Sequence, residues 1–162
     1  MGWIRLVGWR SLTIPSGPAA DRRYPVGGVS WYEAAAYAEF VGKSLPTIYH
    51  WSRVADHAAS AFSVPHSNFG GKGPMRVGAS GGLNRFGAVD MAGNMKEWCW
   101  NAPDASRRYI LGGAWDEPVY TFNDPDARPL FERGANHGFR CARYSSGETL
   151  ADASAQLVPD EV

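Results

Sequence analysis

Phe86 to Asn101, FGAVDMAGNMKEWCWN, is the stretch whose reading decides the fold. Two carboxylates, Asp90 and Glu97, flank the pair Gly93-Asn94. A Gly-Asn pair adopts positive φ readily and turns the backbone tightly. Such a turn can aim the Asp90 and Glu97 side chains and the carbonyls of Gly93 and Met95 at one centre. Converging oxygens suit a hard cation such as calcium. The alternative is an acidic turn closed by its own hydrogen bonds. Lys96 lies inside the loop, so its ammonium either points to solvent or stands in for the cation. Trp98 and Trp100 are expected to anchor the segment in a core.

Around this segment the chain has room for one domain with a real core, at 162 residues and 44% hydrophobic content. Seven Trp agree with a globular fold, and 19 Gly with 11 Pro imply many turns and little regular structure. The formal net charge is zero and no basic run occurs, which disfavours nucleic acid as a partner. The pairs Arg22-Arg23 and Arg107-Arg108 read as solvated or ion-paired surface. No apolar run approaches the ~20 residues that span a bilayer. The first residues lack the continuous apolar stretch of a signal peptide, so cytoplasmic residence is expected. Cys99 and Cys141 are too few for a disulfide framework.

Local signals place two helices upstream. Ser30 and Glu33 form an S-x-x-E capping box, which predicts a helix over 31–41 with Gly42 as its stop. Trp31, Ala34, Ala35, Ala38 and Val41 share one face. Thr47 can cap a second helix over 48–60, with Ile48, Trp51, Val54, Ala55 and Ala58 at helical spacing. Residues 61–85 read as loop, and 1–23 as extended and irregular, since Pro15 and Pro18 break any helix. Short strands are expected at 108–111 and 138–144. The stretch from Asp116 to Asn136 is polar and punctuated by Pro. Residues 145–162 hold four acids and no bases and read as a disordered acidic tail.

The wording of five collinear stretches resembles the formylglycine-generating enzyme (sulfatase-modifying factor) family. DMAGNMKEW is similar to the family's DMAGNVWEW. YPVGGVSWYEAAA, GKSLPTIYHW, LGGAW and GFRCA resemble its "PV.gVSW.dA", "GKRLPTEAEW", "RGGSW" and "GFRCA". The resemblance covers roughly 24–144 and implies an α+β, C-type-lectin-like fold with two main helices and short strands. Family members carry a strand and a helix ahead of the first of these stretches. The residues before Tyr24 do not resemble them, so an N-terminally trimmed domain is expected. SLPTIYHW, NMKEWCWN and the segment after LGGAW are similar to the variant fused to bacterial serine/threonine kinases. No kinase motif occurs in this chain, so a kinase domain is expected elsewhere in its parent.

The family's oxidation of a substrate cysteine relies on two thiols spaced C-x4-C after GGSW, because thiolates hold soft Cu(I). The matching positions here are Glu117 and Phe122, so copper is not expected. Members also hold a structural Ca²⁺ in the DMAGN loop, which the resemblance carries to Asp90, Gly93, Met95 and Glu97. Two functions follow. One is a non-catalytic binding or sensor module whose ligand or protein partner meets Trp115, Tyr120, Asp124, Asp126 and Arg128, beside Phe122 and Phe131. The other is an oxidoreductase of the formylglycine-generating or non-heme iron type. For the iron version His50 and His57 share a helical face, but no carboxylate completes a facial triad with them. The Asp124-Asp126-Arg128 cluster also reads as a local ion-pair network.

Overall fold

In the computed structural model, residues 5–7 and 23–144 are described; the expected acidic tail lies outside the described residues. Ser30 decides where the first helix begins. Its hydroxyl accepts from the Glu33 N–H at 3.4 Å, while the Glu33 carboxylate takes the Ser30 N–H at 2.8 Å. This reciprocal box satisfies donors that a helix start leaves open. Helix α1, Trp31–Phe40, buries Trp31, Ala34 and Ala38 and ends before Gly42 at φ 66°. Arg133 forks onto Glu33 at 2.8 and 3.0 Å. That guanidinium, with Ser30, holds the Glu33 carboxyl down at about 2.

Thr47 caps helix α2, Ile48–Ala55. The expected continuation to residue 60 does not occur. Asp56 takes the left-handed conformation at φ 55°, which its short polar side chain tolerates. The carboxylate then meets Arg85 at 2.9 Å. Beyond it come two 3-10 turns and the short helix α3, Ser60–Ser63, where only loop was expected from residue 61. Ala58 fits the apolar stripe in sequence but is exposed.

Four strands form the central sheet: β2 (Lys96–Trp98), β3 (Arg107–Leu111), β4 (Asp126–Pro129) and β5 (His137–Gly138), in the order β4-β3-β2-β5. β2 pairs with β3 antiparallel, Glu97 opposite Leu111, and with β5 parallel, Glu97 beside Gly138. β2 and β4 fall in segments read as loop, because their charged residues hide the strand pattern. Residues 1–23 were expected to be extended and irregular. Within them Arg5–Val7 forms β1, antiparallel to β6 (Cys141–Arg143). β6 uses Ala142 to pair with Ser44 on its other side. The backbone groups of Cys141 and Arg143 therefore need a second neighbour, and β1 supplies it.

Alternation along β2 separates two cores. Trp98 joins Ile110, Phe139 and Cys141 with the α1 residues Trp31, Ala34 and Ala38. Cys99 joins Leu111, Met91, Ala92 and Phe122 with the α2 residues Trp51 and Ala55. Indole N–H groups fasten the layers: Trp98 donates to the Val29 carbonyl at 2.9 Å and Trp31 to that of Cys99 at 2.8 Å. Trp100 is not an anchor of the kind expected, being 36% exposed.

Candidate functional site

The Gly93-Asn94 turn is positively twisted at both residues, with φ 71° and 65°. A Cβ on Gly93 would meet the Asn68 carbonyl oxygen at 2.5 Å, so the position needs glycine for space as well as for φ. Asn94 is buried and spends all its polar groups. Its N–H donates to the Asn68 carbonyl at 2.9 Å, and its carbonyl accepts from Trp115 at 3.0 Å. Its side-chain oxygen accepts the Met75 N–H at 2.8 Å, while its amide donates to the Met75 carbonyl at 3.2 Å. Three loops thus meet on one residue.

Asp90 and Glu97 serve separate networks. Asp90, itself at φ 53°, accepts from the Gly78 N–H at 2.6 Å and the Ser80 hydroxyl at 2.9 Å. Glu97 is 1% exposed and accepts the Trp51 indole N–H at 2.7 Å. Arg140 grips both Glu97 oxygens with its Nε and Nη2, the latter at 2.6 Å. The same Nη2 reaches the Asp90 backbone carbonyl at 3.3 Å. The Arg140 guanidinium thus lies between Glu97 and the Asp90 backbone. Met95 is buried, and the Gly93 N–H donates to the Gly112 carbonyl.

Lys96 points inward from β2. Its side chain is 4% exposed, and the ammonium touches Glu117 at 2.7 Å and Asp126 at 2.5 Å. Asp126 also takes the Arg128 guanidinium at 2.9 Å. Burial works to raise the Asp126 pKa, but Lys96 and Arg128 outweigh it and hold the carboxyl below its ordinary range. The segment carrying Glu117 is tied down by its neighbours, since Gly71 donates to the Trp115 carbonyl and Gly70 to that of Glu117. Phe122 is buried, its ring 4.8 Å edge-on from that of His57. Trp115 is half-buried, its indole N–H without an acceptor, and Tyr120 stands 64% exposed. Asp124 lines a small cavity of about 140 Å³ with Ile48, Trp51, His57 and Phe122.

The histidines do not assemble. His50 bonds Thr47 through Nδ1 at 2.6 Å, whereas His57 lies past the end of α2 on the Phe122 side. The two thiols lie in different cores, Cys99 with Trp51 and Cys141 with Trp31. Burial pushes both thiols up, and the Glu97 carboxylate pushes Cys99 further. Sequence reasoning missed Arg140 and the aromatic group of Trp31, Tyr32 and Trp100. Tyr32 sits off the apolar face of α1, an exposed aromatic position that pattern reading passes over.

A profile of the sulfatase-modifying factor enzyme 1-like domain matches residues 7–145. The chain belongs to this family. Among its relatives is a serine/threonine-protein kinase pkn1 of Chlamydia pneumoniae, 39% identical over 155 residues, 75% of this chain and 24% of the kinase. An inactive Cα-formylglycine-generating enzyme 2 of Bos taurus is 29% identical over 169 residues, 83% of this chain and 55% of that protein. The chain thus spans about a quarter of the kinase's length. The structure of CarF superposes with a TM-score of 0.65 at 18% identity, over 88% of this chain and 74% of CarF, and shows the fold. Within this sulfatase-modifying-factor-type fold, the DMAGN turn and the buried Glu97–Arg140 pair hold the β2 ladder. Lys96, Glu117 and Asp126 stand on its other side. No helix of the described residues is long and apolar enough to cross a membrane.

Proposed function

We propose that this domain is a non-catalytic binding or sensor module of a larger, kinase-fused protein. One observation carries the reading: the buried Lys96 ammonium is clasped by Glu117 and Asp126. Glu117 stands where the family resemblance puts the first copper thiolate, and Phe122, packed in the core, stands at the second. A fixed positive charge and a phenyl ring offer nothing to a soft monovalent cation. Relatives named as kinases support the kinase-fused parent. The relatives named inactive formylglycine-generating enzymes support a scaffold kept without its chemistry.

We further propose that the DMAGN loop is an acidic turn closed by its own hydrogen bonds and by Arg140. Its guanidinium neutralises Glu97, and the Gly78 and Ser80 donors occupy Asp90. Melting of the purified chain is then the same in millimolar Ca²⁺ and in chelator. A Ca²⁺-dependent rise in Tm would restore the calcium reading. For the loss of catalysis, the measurements are Cu(I) competition against a chromophoric chelator and oxygen uptake with a cysteine-containing peptide. The expected results are no tight Cu(I) binding and no uptake above background. Stoichiometric Cu(I) capture with peptide-dependent uptake would return the chain to the oxidoreductases.

A further inference from the structure

The start of α1 and the strand ends beside it carry an aromatic face. Trp31 lies at its centre, with the Tyr32 ring 5.3 Å away and the Trp100 ring 5.5 Å away. Phe131 continues the row, 4.8 Å from Tyr32. Tyr32, Trp100 and Phe131 are 45%, 36% and 72% exposed. The Arg108 guanidinium lies 4.5 Å over the Trp31 ring. The ion pairs of this face take up its carboxylates and leave Arg108 over. Arg107 meets Asp104, Arg128 meets Asp126 and, at 3.9 Å, Glu132, and Arg133 meets Glu33. Arg108 donates to the Arg107 carbonyl, and its Nε–H is buried without an acceptor. Among the described residues no carboxylate is paired with it.

We propose that this face docks an extended, proline-rich partner segment bearing acidic residues. Proline rings lie flat on aromatic faces, and a polyproline II strand is already ordered before it binds. Exposed Trp and Tyr beside an Arg are the residue types that dominate binding energy at interfaces. The uncompensated Arg108 charge selects acid over base in the ligand. A single-stranded nucleic acid could also stack here, but one unpaired cation among the described residues of this face, on a chain of zero net charge, is too little for a phosphate backbone. The inference extends the binding-module reading without depending on lost catalysis. An active oxidase could dock a partner on the same face, so a failed titration here leaves the copper and oxygen results standing.

The test is calorimetric titration of the full chain with three probes: a capped peptide PPDPPEPP, its lysine counterpart PPKPPKPP, and a single-stranded oligothymidylate. The acidic peptide should bind about two- to fivefold more tightly than the basic one, the ratio expected of one half-exposed charge contact. Arg108→Gln should erase that preference while leaving binding to both peptides. Phe131→Ala, at a highly exposed position, should weaken both peptides with an unchanged thermal melt. No heat from the acidic peptide up to about 1 mM would overturn the proposal. So would equal affinity for the two peptides, tighter binding of the oligonucleotide, or indifference to Phe131→Ala.

Discussion

Replacing Arg140 by Met tests how the middle of the domain is held. The change leaves the Glu97 carboxylate, 1% exposed, with the Trp51 indole N–H alone of its three charged and polar contacts. Leaving one partner of a buried ion pair uncompensated costs about 3–5 kcal/mol. In a domain of this size each kcal/mol lowers Tm by about 2–4 °C, so a loss of about 6–20 °C is expected. Glu97→Met should cost as much, because it strands the guanidinium. The double variant should lose only about 1–2 kcal/mol, since two apolar side chains fill the space and the main orphan is the Trp51 N–H. The four proteins are compared by urea unfolding followed by tryptophan fluorescence. The coupling between the two substitutions should then be at least about 4 kcal/mol. If the single variants do not accumulate as folded protein, recovery of folded double variant is the same result. Single losses under about 1 kcal/mol, or a double loss equal to their sum, would refute the view that this pair is buried and mutually dependent.

Gly93→Ala should destabilise by about 1–3 kcal/mol, since the new Cβ meets the Asn68 carbonyl oxygen at positive φ; chemical denaturation measures it. Lys96→Met should cost about 2–3 kcal/mol, less than a fully buried pair because Glu117 and Asp126 keep partial access to water. Adding Glu117→Gln should recover part of that loss in the same assay. Acid should weaken the fold from about pH 6.5 downward. Burial depresses the folded pKa of both His57 and His137 below that of the unfolded chain. Their contribution is therefore complete above the unfolded value and is lost as pH falls through it toward the folded one. His57→Gln with His137→Gln should flatten Tm between pH 7 and 5.

The parts of the fold carried by neighbours in sequence were legible in it. Ser30 and Glu33 cap α1 within one turn, and Gly42 ends it by backbone freedom. The parts carried by distant partners were not. Lys96 and Glu97 sit side by side in a strand, yet one faces Glu117 and Asp126 and the other Arg140. A run of charges in that position reads as a loop until its partners are known. Asp56 ends α2 through a left-handed turn that an apolar stripe running on to Ala58 conceals. The oxygens of the DMAGN segment were readable as a group, but their donors, Gly78 and Ser80, Trp51, and Arg140, come from three places along the chain.

Asn94 pairs with Met75 through both backbone groups of that residue, much as a single rung of sheet would. At the other end of the intervening excursion, Gly70 and Gly71 are stitched to the Glu117 and Trp115 carbonyls. The tip between these two fixings, around Lys72 and Pro74, faces outward. A foreign epitope spliced in at Lys72 would thus be displayed in a frame whose jambs are already set, giving up only the rung from the Asn68 amide to the Gly73 carbonyl.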